Sequence, residues 1–564
     1  MPKETKPLLD DDTSHSNYSV VGEDHDEVVD DIECEFSTST EADVETVILS
    51  LSYPRAFGQI CRVAIPYSIP QAFNAANVIV TAIVLAELGK DAVAAGPIIS
   101  TLTYTVLGSP RYFLSGVAIE TGQLNGAGDH QAIGRLVQDG YLLSFGLISA
   151  AAVIFASAEN ILIMGGFNHS IARTAQQYFT WSLPAIPPFF LLTLDQQFAL
   201  GIRNPYVAMV SNITARTINT ALGYYLALYT DLGVAGLGVA NTAAMWTAFL
   251  GQRLYFALNC SMTKRYHLFK PTWANPLPNI IRLIRLGVPL MAQGLSEWGN
   301  LMALSLIIGS NNHDLHAEAE QGGLQPYIIA TLPILTIAQA TGARVANAVG
   351  EAKRCIKNLD FNNASIAHNN AIKLGNAGIA LSMTLATVET GLMISLSKEL
   401  ADVFLDHDEP DHEEILILSQ TILIINAVGL WLDSLRNAAG GALRGYKDVS
   451  FMPIISFLTI SVIGLSAGSV FSEGLEWGIE SLFITRDYGI LLAAIALATR
   501  WFMVSYNYPR DEEEVEAQAQ SSCKRIEGYC EDTCWTPRIF SINHHPTTED
   551  FDETEDTELV AERG

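Results

Sequence analysis

The sequence predicts an all-α polytopic membrane protein in which about twelve transmembrane helices form two six-helix lobes. Three observations lead to this prediction. Of 564 residues, 49% are apolar and only 16% are charged. The apolar residues gather in runs of roughly twenty or more, as a lipid solvent requires. Lys and Arg mark alternate connections between these runs, and the second half of the chain repeats short motifs of the first.

The predicted spans are apolar segments long enough to cross about 30 Å of hydrocarbon as helices. They comprise residues 56–86, 96–119, 136–157, 176–200, 206–229, 233–258, 279–309, 325–349, 367–396, 414–441, 451–471 and 486–507.

Residues 1–52 and 509–564 are acidic and poor in long apolar runs, so we expect disordered cytosolic tails. Much of the net charge of −28 lies there, and no nucleic-acid partner is predicted. Seven cysteines, scattered through tails, spans and loops, give no sign of a disulfide framework.

The loop charges predict the orientation of the spans. Basic residues occur in alternate connections, at Arg135, Arg203, Lys264, Arg265, Lys270, Lys353, Arg354, Lys357, Arg444 and Lys447. The connections at 311–322 and 402–414 are acidic and contain no Lys or Arg. Because short basic loops stay in the cytosol, we expect both termini to be cytosolic. The sequon at Asn168 then faces outward and the one at Asn363 faces the cytosol.

The two halves repeat each other. The segment Arg62 to Pro66 resembles Arg285 to Pro289, and residues 123–126 resemble residues 347–350, at offsets of 223 and 224 residues. Both copies begin in the cytosol and contain six spans, so the repeat is parallel, with a pathway where the halves meet. We therefore predict an amino lobe at 53–260 (spans one to six), a cytosolic linker at 261–279 and a carboxyl lobe at 280–508 (spans seven to twelve).

Four stretches between Tyr53 and Asn507 resemble the multidrug and toxic compound extrusion (MATE) family of the MOP flippase superfamily. Residues 122–129 (GQLNGAGD) and 344–351 (RVANAVGE) resemble paired signature loops; their candidate signature residues are Gln123, Gly126, Asn347 and Gly350. Residues 287–298 resemble the acid-bearing seventh span. Residues 433–448, with Arg444 and Gly445, resemble span ten of NorM-type members. The resemblance implies alternating access around a central cavity and export of amphipathic organic cations in exchange for H⁺ or Na⁺.

Glu297 and Asp433 are the candidate ion-coupling and substrate-binding residues. Each lies well inside a span, where an ionisable side chain is costly and is by default a functional candidate. Such a carboxylate can hold a proton, bind Na⁺ through its oxygens, or attract an organic cation, and these alternatives exclude one another. Both residues match the coupling acids of NorM-type members. The competing interpretation is that they are structural and hydrogen bond to neighbouring helices.

Other polar and aromatic residues are candidates for lining the cavity: Trp298, Trp431, Asp195, Gln196, Thr81 and Asn219. The two tryptophans offer a π-face to a cation, although packing is the commoner role of a lone aromatic residue in a span. Asp195 matches no family site and either lines the cavity or pairs with Arg203. Some relatives carry acids in spans one and five; the matching positions here are Thr81 and Gly223, so coupling is expected in the carboxyl half. Where many eukaryotic members have a second Glu, this chain has Met302.

Two other classes compete with a cation antiporter. A flippase for lipid-linked substrates should carry several cavity arginines to hold phosphate, and the assigned spans are predicted to be poor in midplane Arg. A channel should present rings of like groups or repeated carbonyl filters, and the sequence shows neither. A non-transporting membrane scaffold is the remaining alternative. No P-loop, hydrolase or kinase motif is apparent, so no enzymatic activity and no cofactor beyond the coupling ion are predicted.

The amino-terminal tail also contains a candidate sorting signal. Glu4, Leu8 and Leu9 fit an acidic dileucine motif that a sorting adaptor would read in the cytosol. We expect a monomer in the plasma membrane or in an endo-lysosomal or vacuolar membrane. The expected partners are the lipid bilayer and small organic cations.

Overall fold

Each of the twelve apolar segments is helical in the computed structural model of the chain, which describes residues 48–164, 168–268, 276–310, 314–405, 411–475 and 477–507. These described residues contain no β-strand, so the all-α class is confirmed. The motif at Glu4, Leu8 and Leu9 and nearly all of both tails lie outside the described ranges.

The helices of the first half follow the predicted segments closely. Span one is Tyr53–Leu88. Span two comprises Lys90–Thr103 and Ser109–Ala127, joined by a π-helical turn at Tyr104–Gly108. Span three is His130–Ala156, followed by a short helix at Ala158–Met164. Span four comprises His169–Ser182, a 3₁₀ turn at Leu183–Ala185 and Ile186–Gly201. Span five is Pro205–Tyr229 and span six is Val234–Leu258, followed by Cys260–Tyr266.

The second half begins with span seven at Leu277–Ser310 and span eight at Asp314–Lys357. Span nine is Phe361–Ser395, followed by Ser397–Asp402, and span ten is His412–Gly445. Span eleven alternates α- and π-helical pieces: Phe451–Ser456, Phe457–Leu465, Ser466–Ser469 and Val470–Gly474. Span twelve is Glu480–Asn507. Several helices, such as span eight, exceed their apolar segments because a helix continues beyond the hydrocarbon.

The prediction that the signature segments are loops was wrong for most of their residues, because residues 122–127 end the span-two helix and residues 344–351 lie within the span-eight helix. Only Gly128 and Asp129 form a turn between helices. Span two ends at Ala127 because Gly128 adopts φ 77°, a left-handed conformation that glycine reaches without a Cβ penalty. Asp129 then caps span three, and its side chain accepts a hydrogen bond from the backbone N–H of Ala132 at 3.0 Å. The adjacent Gly and Asp of the motif therefore stop one helix and start the next.

The helices present apolar side chains outward. Within the described residues, eight helices are long and apolar enough to cross a membrane. In span one only 17% of the apolar window is buried inside the protein. Exposed apolar side chains along this helix include Ile65, Ile69 and Ile83. A soluble protein rarely leaves such a continuous surface uncovered, whereas the acyl chains of a bilayer cover it at no cost.

Corresponding helix pairs make contact in the two halves. Span one packs on span five, as span seven packs on span eleven. Span two packs on span four, as span eight packs on span ten, and span four contacts span six as span ten contacts span twelve. Between the halves, span two contacts spans seven and eight, and span one contacts span eight. This correspondence is the pattern expected of two halves with the same order of helices, and the parallel orientation of the repeat stays a prediction.

Residues 48–51 precede span one and pack on span nine; we call this short segment the strap. The backbone N–H of Leu51 donates to Oδ1 of Asn370 at 2.7 Å, and Nδ2 of Asn370 donates to the Leu49 carbonyl at 3.0 Å. Ile48 is 7% exposed and packs with Ala352 and Cys355. The entry to the first half is thus fastened to a helix of the second.

Candidate functional site

Glu297 of span seven and Asp433 of span ten are joined by one guanidinium group. Arg436 Nε lies 2.6 Å from Asp433 Oδ1, and Arg436 Nη2 lies 3.3 Å from Glu297 Oε1. The side chains of Arg436 and Asp433 are only 4% and 5% exposed, and that of Glu297 is 14% exposed. The structure therefore brings the two sequence-predicted acids to one buried cation.

Neutral donors hold the same carboxylates. Asn437 Nδ2 donates to Asp433 Oδ2 at 2.8 Å. Glu297 accepts from Gln293 Nε2 at 2.9 Å and from the hydroxyl of Tyr112, on span two, at 3.0 Å. Because Tyr112 belongs to the first half, this last bond ties the acid cluster to the boundary between the halves. Each carboxylate would keep a hydrogen-bond donor if the guanidinium moved away.

The acids line a cavity of about 70 Å³ between the helices. Its wall also includes Tyr327, Asn300 and Ser456, and the Ser456 hydroxyl accepts a hydrogen bond from Arg436 Nη1 at 3.2 Å. This volume suits an ion with a few water molecules, whereas pockets for drug-sized ligands occupy roughly 300–1,000 Å³. A larger cargo requires the surrounding helices to separate.

A second buried ion pair borders the cavity. Arg486 of span twelve lines the wall and donates to Asp487 Oδ1 at 2.9 Å and to Asn426 Oδ1 at 2.8 Å. Sequence analysis did not single out either residue, because both lie at the very start of the last apolar segment. Their guanidinium and carboxylate neutralise each other.

Several oxygens around the cavity receive no hydrogen bond from the described protein groups. They are Oδ1 of Asn300, Oδ1 of Asn437 and Oδ2 of Asp487, all buried. Unpaired buried acceptors are costly. Oxygen acceptors are also the groups that a hard cation or a proton donor satisfies. Of these, the Asn300 and Asn437 oxygens belong to the wall and suit a positively charged occupant, whereas Nη1 of Arg486, a wall donor with no hydrogen-bond partner among the described residues, suits an acceptor.

The two candidate tryptophans differ in position. Trp298 lines the cavity and stacks on Tyr104, with ring centroids 5.3 Å apart. Trp431 is 40% exposed, donates from Nε1 to Thr387 Oγ1 at 3.0 Å, and is not part of the cavity wall. Trp431 therefore lies outside this cavity, and its role in lining the transport pathway stays a prediction.

In the amino half, Asn219 of span five binds the buried side-chain amide of Asn77 on span one, whereas Thr81 binds only the backbone carbonyl of Asn77 in its own helix. Oδ1 of Asn77 accepts from Asn219 Nδ2 at 3.1 Å and from Thr220 Oγ1 at 2.8 Å. The hydroxyl of Thr81 donates to the Asn77 carbonyl at 2.7 Å. Sequence analysis did not identify Asn77. The group that joins spans one and five is thus uncharged.

Asp195 pairs with Arg253, and the predicted alternative partner, Arg203, lies elsewhere. Asp195 is fully buried, lies 3.1 Å from Arg253 Nη2 and accepts a hydrogen bond from the Tyr141 hydroxyl. Arg203 lies beyond the end of span four and donates from Nε to Asn347 Oδ1 at 3.1 Å. The neighbouring Gln196 donates to Ser211 Oγ at 3.2 Å. Neither Asp195 nor Gln196 lines the cavity at Glu297.

The signature residues of the two halves interlock. Gln123 Nε2 donates to the Gly445 carbonyl at 2.9 Å, and Lys353 Nζ donates to Gln123 Oε1 at 3.0 Å. Asn347 accepts from Asn125 at 2.8 Å and donates to the Gly201 carbonyl at 2.9 Å. We call this contact region the signature junction.

The two signature glycines allow the backbones of the junction to touch. A Cβ on Gly126 would lie 1.9 Å from the Asn347 carbonyl oxygen, and one on Gly350 would lie 2.0 Å from the Gln123 carbonyl oxygen. Arg444 belongs to the same end of span ten; it is buried and its Nη2 lies 3.6 Å from the sulfur of Met452. No larger residue fits at either glycine without separating the helices.

The sequence predicts spans poor in midplane Arg, and sequence analysis did not single out two buried arginines near the ends of apolar segments. Arg436 and Arg486 both line the cavity. Hydropathy missed them because each lies near an end of its apolar segment. Each is already held by carboxylates, Arg436 by Asp433 and Glu297 and Arg486 by Asp487, so neither presents an uncompensated charge to a phosphate.

The cavity lies among helices of the second half, and Tyr112 is the one residue of the first half among the described residues that line it. A multi-pass helical membrane protein with repeated halves and a charged cavity has the architecture of a secondary transporter. The family model MatE matches residues 66–225. The chain is 25% identical over 457 residues to the probable multidrug resistance protein NorM of Rhizobium meliloti, covering 80% of this chain and 94% of that protein. It is 24% identical over 459 residues to the multidrug resistance protein NorM of Photobacterium profundum. That alignment covers 80% of this chain and 96% of the NorM protein. The chain is therefore similar in sequence to NorM proteins and, over residues 66–225, to the MatE family model.

Solved structures give the same fold. The eukaryotic MATE transporter AtDTX14 superimposes with a TM-score of 0.69 at 16% identity, covering 83% of this chain and 99% of that one. An outward-facing multidrug resistance MATE transporter of the MOP superfamily gives a TM-score of 0.70 at 16% identity. The superposition covers 80% of this chain and 96% of that transporter. These likenesses confirm the twelve-helix MATE fold predicted from the sequence.

Proposed function

We propose that the protein is a secondary active antiporter that exports amphipathic organic cations in exchange for H⁺ or Na⁺ by alternating access. The observation that supports this most directly is the sharing of one guanidinium by Glu297 and Asp433, which stand on different helices in a buried cavity. The relatives reported above are named multidrug resistance proteins, and the same cargo class suits an anionic, oxygen-rich site.

Exchange follows from competition for one negative site. A proton or Na⁺ on the carboxylates and an organic cation in the cavity neutralise the same charge, so each weakens binding of the other. The Tyr112–Glu297 hydrogen bond joins the site to span two of the opposite half. A change in the charge of Glu297 alters that bond and thereby biases the contact between the halves.

The flippase alternative is not favoured. A lipid-linked phosphate needs cationic side chains without internal partners, and both cavity arginines are paired with carboxylates.

We further propose that both termini lie in the cytosol, that the protein acts as a monomer, and that it resides in the plasma membrane or an endo-lysosomal or vacuolar membrane. The basic loops support the orientation.

The experiment is ethidium efflux from liposomes containing the purified protein, driven first by a Na⁺ gradient and then by a pH gradient alone. We expect Glu297→Gln and Asp433→Asn each to abolish ion-driven efflux. Glu399→Gln, an exposed carboxylate of the same half, is the matched control and should transport like the unaltered protein. Full efflux by both site variants would falsify the proposed site, and the gradient that drives transport identifies the ion.

A further inference from the structure

Two arginines of the first half lie at mid-depth in their spans without a carboxylate partner. Arg216 stands about 17 Å from the start of the span-five helix and about 20 Å from its end, and Arg111 lies in the middle of span two. Both side chains are half-buried, and neither guanidinium forms an ion pair or a hydrogen bond with the residues that the structure describes. They are exceptions to the predicted scarcity of midplane arginine. An unpaired guanidinium at this depth is costly and by default marks a functional site.

The two guanidinium groups are close enough to repel each other. The groups whose charge acts most strongly on Arg216 are the hydroxyl of Tyr104, the guanidinium of Arg111 and the hydroxyl of Tyr178, and none of them is a carboxylate. Both tyrosine hydroxyls can donate a hydrogen bond to an anion. We call these four side chains the arginine site.

The arginine site lies beside the acid cavity described above. Tyr104 stacks on Trp298 with ring centroids 5.3 Å apart, and Trp298 lines that cavity. Thr220, one helical turn after Arg216, donates to Oδ1 of Asn77 on span one at 2.8 Å. This face of span five therefore points into the first half, and one cargo molecule can reach both places.

The cavity acids do not supply the missing negative charge. Glu297 and Asp433 share the guanidinium of Arg436. Arg444, a buried arginine without an ion pair, also acts on Glu297. Two carboxylates thus face two guanidinium groups there, and the second buried ion pair of the cavity is neutral in itself. The charge that compensates the arginine site therefore comes from a bound molecule.

An anionic group is the occupant that the arginine site favours. Guanidinium groups bind carboxylates and phosphates through charge-assisted, often bidentate hydrogen bonds. An anion placed between two arginines also offsets their mutual repulsion. A purely anionic cargo would meet the carboxylates of the neighbouring cavity, whereas a molecule with one acidic and one basic end suits both places.

We propose that Arg111 and Arg216 bind an acidic group of the cargo, while Glu297 and Asp433 bind its cationic end in competition with the coupling ion. This inference rests on the proposed antiport function and specifies its preferred cargo as amphipathic zwitterions. The acidic group is a carboxylate or another oxyanion. The arginines then select the cargo, and the acids couple its movement to the ion.

The test compares two dyes that differ only at one carboxyl group, in liposomes containing the purified full chain. Rhodamine 110 carries a free carboxyl group, which is ionised at pH 7, and rhodamine 123 is its methyl ester. We expect the unaltered protein to transport rhodamine 110 with a KM about tenfold lower than that of the ester. Arg111→Gln and Arg216→Gln should each raise the KM for rhodamine 110 to about that of the ester, without raising the KM for the ester. Arg216→Lys keeps the charge and should retain a preference for rhodamine 110.

The matched control is Arg173→Gln, which removes an exposed arginine of the same half and should leave the preference unchanged. Equal KM values for the two dyes in the unaltered protein, or a preference that persists in both glutamine variants, overturns the inference. If the unaltered protein moves neither dye in response to an ion gradient, the proposed function itself fails.

Excess benzoate distinguishes a carboxylate of the cargo from a free anion. It should compete with rhodamine 110 and leave transport of the ester unchanged. If benzoate instead raises transport of the ester, the anion is a separate ligand and the assignment to the cargo is overturned. These measurements on the unaltered protein test the inference even if a variant does not fold.

Discussion

The side-chain amide of Gln123 donates to the backbone carbonyl of Gly445 at 2.9 Å, across 322 residues of sequence. The same glutamine accepts from Lys353. Two signature motifs that sequence similarity identifies separately are therefore halves of one contact. These contacts join spans two, eight and ten at the signature junction.

Gly350→Ala should loosen this junction. The new Cβ would lie 2.0 Å from the Gln123 carbonyl oxygen, and such overpacking costs about 1–3 kcal/mol. We expect more molecules to adopt a state in which the helices of the junction are separated. The ratio of separated to joined molecules should rise roughly tenfold for each 1.4 kcal/mol of destabilisation. Spin labels at the exposed positions Arg135 and Lys357 should report a longer distance.

The control for that experiment is Gly146→Ala, since a Cβ there meets no atom within 4 Å. Gly126→Ala, whose Cβ would lie 1.9 Å from the Asn347 carbonyl, should act like Gly350→Ala. An unchanged distance distribution in both junction variants would contradict the role assigned to this contact.

Glu120 and Lys447 form an ion pair beside the signature junction. Removing the lysine and removing the carboxylate should lower the free energy of unfolding by different amounts. Lys447 Nζ lies 2.9 Å from the carboxylate of Glu120, whose side chain is 2% exposed, whereas that of Lys447 is 29% exposed. Lys447→Met leaves a buried carboxylate with only Arg282 at 3.8 Å, so it should lower the free energy of unfolding by about 3 kcal/mol. Glu120→Gln leaves a lysine that reaches water and should cost less than half as much. Denaturant unfolding in detergent would show this order, and equal losses would contradict it.

The spans were predictable because bilayer thickness and the absence of water impose long apolar helices that hydropathy detects. Glu297 and Asp433 were predictable for the same reason, since each interrupts an apolar run. The spacing of three residues between Asp433 and Arg436 would have suggested their pairing. The contact of Arg436 with Glu297 was not predictable, because it joins helices 139 residues apart.

The partner of Asp195 shows why nearness in sequence misleads. Arg203 is eight residues away but follows the end of span four, in a left-handed conformation with φ 67°. That turn directs its side chain to Asn347. Arg253 comes from span six and reaches Asp195 because spans four and six pack together. Helix packing, which the sequence does not encode locally, decides between the two arginines.

Asn370→Ala should release the strap at residues 48–51. It removes the amide that accepts from Leu51 and donates to Leu49, and each such hydrogen bond contributes about 1 kcal/mol. We expect faster hydrogen exchange at the Leu51 amide, measured by mass spectrometry of the amino-terminal peptide. Lys373→Met, which removes only an exposed hydrogen bond to Ser50, is the control. Equal exchange rates in Asn370→Ala and the unaltered protein would refute the strap contact.

Cys355, near the carboxyl end of the span-eight helix, should be alkylated slowly. Its side chain is 6% exposed and packs with Ile48, Ala352 and Ala364, so a reagent reaches the sulfur only when these neighbours separate. Alkylation by iodoacetamide should be about 100-fold slower in the folded protein than in denaturant. Site-resolved mass spectrometry measures both rates. Equal rates in the two conditions would contradict the burial of this thiol.

The small cavity beside Glu297 has a kinetic consequence. Its volume of about 70 Å³ admits an ion with water but excludes a drug-sized molecule by size alone. In this conformation ion and cargo cannot form a ternary complex. The exchange should therefore follow a ping-pong scheme, in which one ligand leaves before the other enters. Double-reciprocal plots of flux at several ion concentrations would then be parallel lines.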